Sequence, residues 1–254
     1  YNVFERVQAF TNPFFVILLG SIYYFIGNIY SAFFIISFLS LCIYFSIIYQ
    51  FLKINKNFLV TAYILFSLLL SKAFVEFSTS GLEESLSLAL LSLGIYLLHK
   101  SNIFEAGKQS KKTVVIGLLF LSLASITRLD LSIFVLPILF FLFIKNYKNI
   151  YLIFYGFTPL FIWLLFSYFY YGDFFPNTFY AKNSTGYQPD IYLEFGKNYF
   201  KDSYWRDPIT LLSIYSNLFL LLFYRTNKLI FSIFIGVFSY LIYIYLNGGT
   251  FFSG

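Results

Sequence analysis

Methionine is absent from this 254-residue chain, and cysteine and histidine occur once each. The lone Cys42 sits inside an apolar run, so neither a disulfide nor a thiolate metal site can form within the chain. His99 stands beside Lys100 in a basic loop and reads as a solvated histidine rather than a ligand. Charge is scarce as well. Asp, Glu, Lys and Arg make up 11% of the residues, against roughly 25% in a soluble domain. With 59% hydrophobic residues and a mean hydropathy of +0.77, the composition is that of a membrane protein. The chain opens on a polar YNVFER stretch with no signal-peptide pattern, and is expected to be part of a longer protein.

What is abundant is aromatic and aliphatic. Aromatics reach 25%, which together with frequent Ile, Asn and Lys reads as codon bias toward A and T and carries little functional weight. A short apolar stretch after Asn12-Pro13 ends at Gly27-Asn28, below the roughly 20 residues a spanning helix needs, so it is expected to be re-entrant or interfacial. Eight candidate spans follow, at 29–52, 58–75, 84–98, 114–126, 131–144, 150–170, 209–223 and 229–246. The fold expected is an all-α polytopic transmembrane bundle of about eight spans plus that short segment. Residues 171–208 read as one long external loop.

The intervening loops sort into two sets. One holds Lys53, Lys56, Lys100, Lys108, Lys111, Lys112, Lys145, Lys148, Arg225 and Lys228, with Glu105 its single acid. The other holds Arg6, Lys72, Arg128, Lys182, Lys197, Lys201 and Arg206 against ten acids. The positive-inside rule makes the first set cytoplasmic. The net charge of +6 therefore reads as membrane orientation and not as a nucleic-acid footprint. The polar clusters all fall on the external face. A transporter needs polar groups along a path through the membrane; their gathering at one interface favours binding or chemistry at the outer surface.

Each cluster also has a plain structural reading. Ser80-Gly81-Leu82-Glu83 has capping-box spacing, although Glu84, Lys72 and Glu76 add more charge than a cap requires. In Thr127-Arg128-Leu129-Asp130, Thr127 or Asp130 could cap the next helix while Arg128 snorkels. Alternatively, Arg128 binds a phosphate oxygen and Asp130 orients it or binds a sugar hydroxyl. Pro176-Asn177-Thr178 suits a turn, with Lys182 four residues on in reach of a phosphate. Gly248-Gly249-Thr250 suits a backbone turn beside a ligand.

Taken in order, ERVQAFTNPFF, TSGLE, TRLD, GDFFPNTFYAK and GGTFFSG resemble a family of bacterial integral-membrane glycosyltransferases of the GT-C fold. Its best-known members are the terminal β-1,2-arabinofuranosyltransferases of actinobacterial cell walls. The resemblance covers the whole chain and implies one GT-C-like domain, 1–254, truncated at both ends. It also implies sugar transfer from a polyprenyl-phosphate donor to a glycan, lipid or protein acceptor, on the outer face of a bacterial inner membrane. Carried over, Glu5, Arg6, Thr11 and Asn12 would shape the loop near the sugar, and Ser80 and Glu83 would line the pocket. Arg128 with Asp130, and Lys182, would hold the donor phosphate, while Asn177 and Thr178 would fix the loop. The family's catalytic Asp pair would lie upstream of residue 1. Thr250 stands where the family carries Asp, the chain stops at Gly254 before an expected Arg, and Leu129 replaces a Pro. The partners implied are membrane lipid, the lipid-linked donor and the acceptor, with a divalent cation left open. Two other readings stay open: a transporter or flippase of a lipid-linked sugar, and a catalytically inactive binding or scaffold protein.

Overall fold

The computed structural model describes residues 6–55, 58–104, 110–145, 149–183, 189–220 and 227–249. Among them the chain forms thirteen helices and no strand. These are α1 (Pro13–Ile26), α2 (Ile29–Asn55), α3 (Phe58–Leu70), α4 (Lys72–Thr79), α5 (Glu84–Lys100), α6 (Lys111–Thr127), α7 (Leu131–Lys145), α8 (Tyr151–Gly156), α9 (Thr158–Tyr171), α10 (Asn177–Asn183), α11 (Pro189–Arg206), α12 (Pro208–Leu220) and α13 (Lys228–Leu246).

The described parts of all eight hydrophobic stretches are largely helical, but they are not eight full-length spans. Among the described residues only α2, over Ile29–Lys53, and α13 are long and apolar enough to cross a membrane alone; α3 and α4 would together make a third, but they are bent by 61°. The physical reason lies in the centre of the bundle. Helices α5 and α6 have 17 residues each, or about 25 Å of rise, and they are lined with buried Ser85, Ser87, Ser122 and Ser125. Surrounded by other helices, they need neither the length nor the apolarity of a helix facing lipid.

Helix α6 is the hub. A cluster of Leu98, Val114, Leu118, Leu121, Val135, Ile138, Leu142 and Leu152 packs α5, α6, α7 and α8 together toward the ends that carry the lysine loops. At the opposite end, Phe15 of α1 packs with Ile36, Leu86, Leu90 and Ala124. These partners all lie within two or three turns of the same end of α2, α5 and α6, so α1 packs at that end of the bundle. Small residues set the spacings: a Cβ on Gly94 would lie 2.7 Å from Leu121 Cδ2 and 3.0 Å from the Gly117 carbonyl oxygen, and one on Gly236 would lie 2.5 Å from the Phe134 oxygen. Close backbone approach of this kind is how helices associate where lipid supplies no hydrophobic drive.

Two expected spans are interrupted. The 150–170 stretch breaks at Phe157 into α8 and α9, because Pro159 cannot donate to the preceding turn. The adjoining Leu160 amide donates instead to Ser122 Oγ of α6 at 3.1 Å, and Gly156 lets α8 close on Leu118. The 58–75 stretch breaks at Ser71, whose extended backbone (φ −70°, ψ 112°) caps α4. Asp207 holds that break. Its Oδ2 accepts from the Ala73 amide at 2.7 Å and from Thr210 Oγ1 at 2.6 Å, while Oδ1 accepts from the Thr210 amide at 3.1 Å. One carboxylate thus caps both α4 and α12. The sequence carries the signal for the second cap, Asp-Pro-x-Thr with Pro at the first helical position, but nothing local announces the first.

The 171–208 stretch is not an extended loop, since it holds α10 and α11. Helix α11 lies against the end of α13: Gly196 meets the Tyr245 carbonyl, and Gly249 (φ +87°) would place a Cβ 2.6 Å from Tyr199. Hydropathy had excluded only a span there; a polar helix bedded on protein satisfies the same composition.

Two outcomes follow from these contacts. Gly94→Val should lower the thermal midpoint of the detergent-solubilised protein at a cost of about 1–3 kcal/mol, because α5 and α6 must part. Burial alone would raise the Asp207 pKa, but the hydrogen bonds from Thr210, Ala73 and Lys72 outweigh it and hold the carboxyl below its ordinary value. Its stabilisation is therefore complete above about pH 4 and is lost as pH falls through the lowered native value. Asp207→Ala should cost about 1–2 kcal/mol per cap at neutral pH, and its deficit against wild type should shrink below pH 4 in thermal melts.

Candidate functional site

The site is built where α6 ends. Arg128 leaves the helix in an extended conformation (φ −145°, ψ 110°) while its amide still bonds the Ala124 oxygen at 2.9 Å. Asp130, two residues on, meets the guanidinium as a fork: Nε donates to Oδ1 at 3.2 Å and Nη2 to Oδ2 at 2.8 Å. Nη1 donates to Glu84 Oε1, at the start of α5, at 3.2 Å. Tyr240 of α13 closes the ring, donating to Asp130 Oδ2 at 2.7 Å and accepting from Nη2 at 3.4 Å. Four side chains from α5, the α6–α7 turn and α13 thereby form one network. Each charged member is about three-quarters buried, with side-chain exposures of 26% for Arg128 and 23% for both acids. Burial alone would loosen the Arg128 proton, but Tyr240 and the two carboxylates more than offset it and hold the group charged.

The expected caps do not form here. Thr127 Oγ1 donates back to the Leu123 oxygen at 2.8 Å, and the Asp130 carboxylate faces Arg128 rather than the α7 amides. Ser80 and Glu83 make no capping box either. Ser80 Oγ donates to the Phe77 oxygen at 3.0 Å, closing α4, while Glu83 Oε2 accepts from Asn12 Nδ2 at 3.1 Å. The second carboxylate of the pair is what a cap could not explain, and it is Glu84 that reaches Arg128.

Asn12 ties the polar lead-in to this network, and Gln8 ties the lead-in to the PNT turn. Gln8 is fully buried. Its Oε1 lies 2.8 Å from Ser167 Oγ, and its backbone oxygen accepts from the Asn177 amide at 3.2 Å. Ser167 Oγ also lies 2.8 Å from the Asp173 oxygen. Gln8 and Asn12 are four residues apart, so the two groupings sit within about 14 Å of each other along the chain. Arg6 lies over the Tyr170 ring at 4.6 Å.

Of the residues expected in the site, Asn12, Glu83, Arg128 and Asp130 come together, and Asn177 joins them through Gln8. Thr178 Oγ1 is buried without a hydrogen-bond partner among the described residues. Thr11 and Ser80 are exposed, and Ser80 bonds only its own turn. Glu5 and Thr250 lie outside the described residues, and of Lys182 only the backbone, in α10, lies within them. Lys72 and Glu76 form an exposed pair at 3.7 Å on α4. His99 is exposed, with its ring 5.8 Å from that of Phe51. Sequence reasoning missed Glu84 as the partner of Arg128, and also Tyr240 and Gln8. A tyrosine in an aromatic-rich span gives no local signal, and Gln8 stood out only as the remaining polar group of its motif.

Among the described residues, no three His, Cys, Asp or Glu side chains gather as a metal site. No family model, curated protein or solved structure matches the chain.

Removing Arg128 leaves two carboxylates without their cation. Arg128→Met should therefore destabilise the protein by about 3 kcal/mol, and Arg128→Met with Glu84→Gln and Asp130→Asn should recover most of that loss. Thermal unfolding of the two variants beside wild type checks both.

Proposed function

We propose that this chain is the core of a membrane glycosyltransferase that moves a sugar from a polyprenyl-phosphate donor to a glycan, lipid or protein acceptor. The observation that carries the reading is the convergence at one end of the bundle: residues 8–12, 83–84, 128–130 and 177 belong to four separate motifs and are linked by hydrogen bonds. These are the motifs whose order resembles the GT-C family. The lysine-rich loops belong to the other end of the helices, so by the positive-inside rule the polar end faces outward in a bacterial inner membrane. In this reading the short helices α5 to α9 also cross the bilayer, α5 and α6 at the centre of the bundle and α7 and α9 with apolar faces turned to lipid.

The chemistry proposed is inverting displacement at the anomeric carbon. A base takes the acceptor proton, and cations stabilise the departing lipid phosphate. Arg6, which is exposed, and Lys182 are the cations assigned to that phosphate. The broken α3–α4 pair favours a second reading, transport of a lipid-linked sugar, because discontinuous helices direct free N-termini at substrates. Asp207 already occupies that N-terminus, which leaves transfer the stronger reading.

The test is a transfer assay on the full-length protein in lipid, with a panel of polyprenyl-phosphate sugars. At least one donor should turn over, and Arg128→Ala should reduce turnover by about 100-fold by releasing both carboxylates it positions. A folded protein that transfers no sugar, or an Arg128→Ala variant with unchanged turnover, sinks the proposal.

A further inference from the structure

The Arg128 network has a charge balance that bears on what it can bind. It holds one cation and two carboxylates, and the Nε, Nη1 and Nη2 atoms of the guanidinium each already donate to a protein oxygen. These bonds and the one to Tyr240 engage four of the five guanidinium N–H groups, so a phosphate drawn to the remaining Nη1 N–H would lie beside Glu84 and close to Asp130. Like charges at that separation repel strongly in a partly buried setting, so the network is a poor anion site.

For a neutral hydroxyl the same network is well made. Glu84 Oε1 is held by Arg128, so the carboxylate is fixed, and its Oε2 is buried with no hydrogen-bond partner among the described residues. On the same face of α5, three residues further along, Ser87 Oγ is also buried and without a partner, at 4% exposure. Side chains at that spacing are about 5–6 Å apart at Cβ. Buried polar atoms are almost always satisfied; Ser85 Oγ is likewise unpartnered among the described residues, but the spacing puts only Glu84 and Ser87 on one face, beside the positioned ion pair, where a donor-rich neutral group would supply what both lack. Vicinal hydroxyls of a sugar ring have that chemistry, one donating to the carboxylate oxygen and its neighbour exchanging a hydrogen bond with the serine.

We infer that the Arg128 network is the sugar-hydroxyl subsite of this protein. Glu84 Oε2 is the acceptor and Ser87 Oγ its companion. Arg128 is a positioning residue that holds Glu84 and Asp130 and does not ligate phosphate. The inference rests on the reading of the ligand as a lipid-linked sugar, and it divides recognition in two: the sugar is read by carboxylate and hydroxyl groups here, and the phosphate is read by cations elsewhere.

The test uses the full chain in lipid nanodiscs, titrated calorimetrically with a panel of methyl glycosides (hexosides and pentosides) and, separately, with farnesyl phosphate. At least one methyl glycoside should bind. Glu84→Gln should weaken it roughly ten- to a hundredfold, the size expected for a hydrogen bond to a charged group. Farnesyl phosphate affinity should change by less than about twofold. Ser87→Ala tests the same idea without touching an ion pair: it deletes a hydroxyl with no hydrogen-bond partner among the described residues, so the thermal midpoint should hold or rise while glycoside affinity falls about fivefold. No glycoside binding in wild type, or glycoside affinity unchanged in both variants, overturns the inference. So does a farnesyl phosphate affinity that rises in Glu84→Gln and vanishes in Arg128→Met. Glu84-dependent glycoside binding without sugar transfer would remove the enzyme and keep the subsite; transfer with glycoside affinity indifferent to both variants would do the reverse.

Discussion

The polar end of this bundle depends on one ion pair set, Arg128 between Glu84 and Asp130. None of the three could stand alone where it lies, since an unpaired charge taken out of water costs several kcal/mol. Together they join the first turn of α5 to the α6–α7 turn, and through Tyr240 to α13. The helices that meet there are apolar over most of their length and have few other directional contacts. Hydrophobic packing brings them together; the ion pairs, with Tyr240, fix which turn of one faces which turn of another.

A second constraint acts at the helix breaks. Interrupting a helix among apolar neighbours exposes amides and carbonyls that must find partners. At Phe157 the partner is Ser122 of α6, and at Ser71 it is Asp207, which lies 134 residues away in sequence from the amide it accepts. Both breaks are therefore anchored by a polar side chain from another element. The close glycine contacts of α5 with α6 and of α7 with α13 serve the same economy, since they bring backbones together where lipid offers no gain from burying apolar surface.

The functional consequence is a division of labour between the two ends. One end is a packed aliphatic cluster beneath basic loops. The other holds Gln8, Asn12, Glu83, Glu84, Arg128, Asp130 and Tyr240, with three buried polar atoms of α5, Glu84 Oε2, Ser85 Oγ and Ser87 Oγ, making no hydrogen bond among the described residues. The proposed hydroxyl subsite rests on the net charge of that network more than on any single residue in it.

The sequence by itself determined the class, an all-helical chain with membrane-spanning stretches, and the division of its charges into two sets of loops. Apolar composition with 11% charge dictates membrane helices, and the segregation of lysines from acids divides the loops into two faces. It also marked most of the motif residues that meet, because isolated charges in apolar sequence are costly and so stand out. Tertiary structure alone decided the rest. It let α5 and α6 be short, because these central helices touch protein and not lipid, and it broke two stretches where Ser122 and Asp207 take up the freed amides. It made α11 out of a polar stretch that hydropathy could only call not a span. It assigned partners, sending Glu83 to Asn12, Glu84 to Arg128 and Asp207 to α4, because local spacing specifies only what neighbours in sequence can reach. Which side chains face one another across 44, 71 or 134 residues is set by helix packing, and no local pattern encodes that.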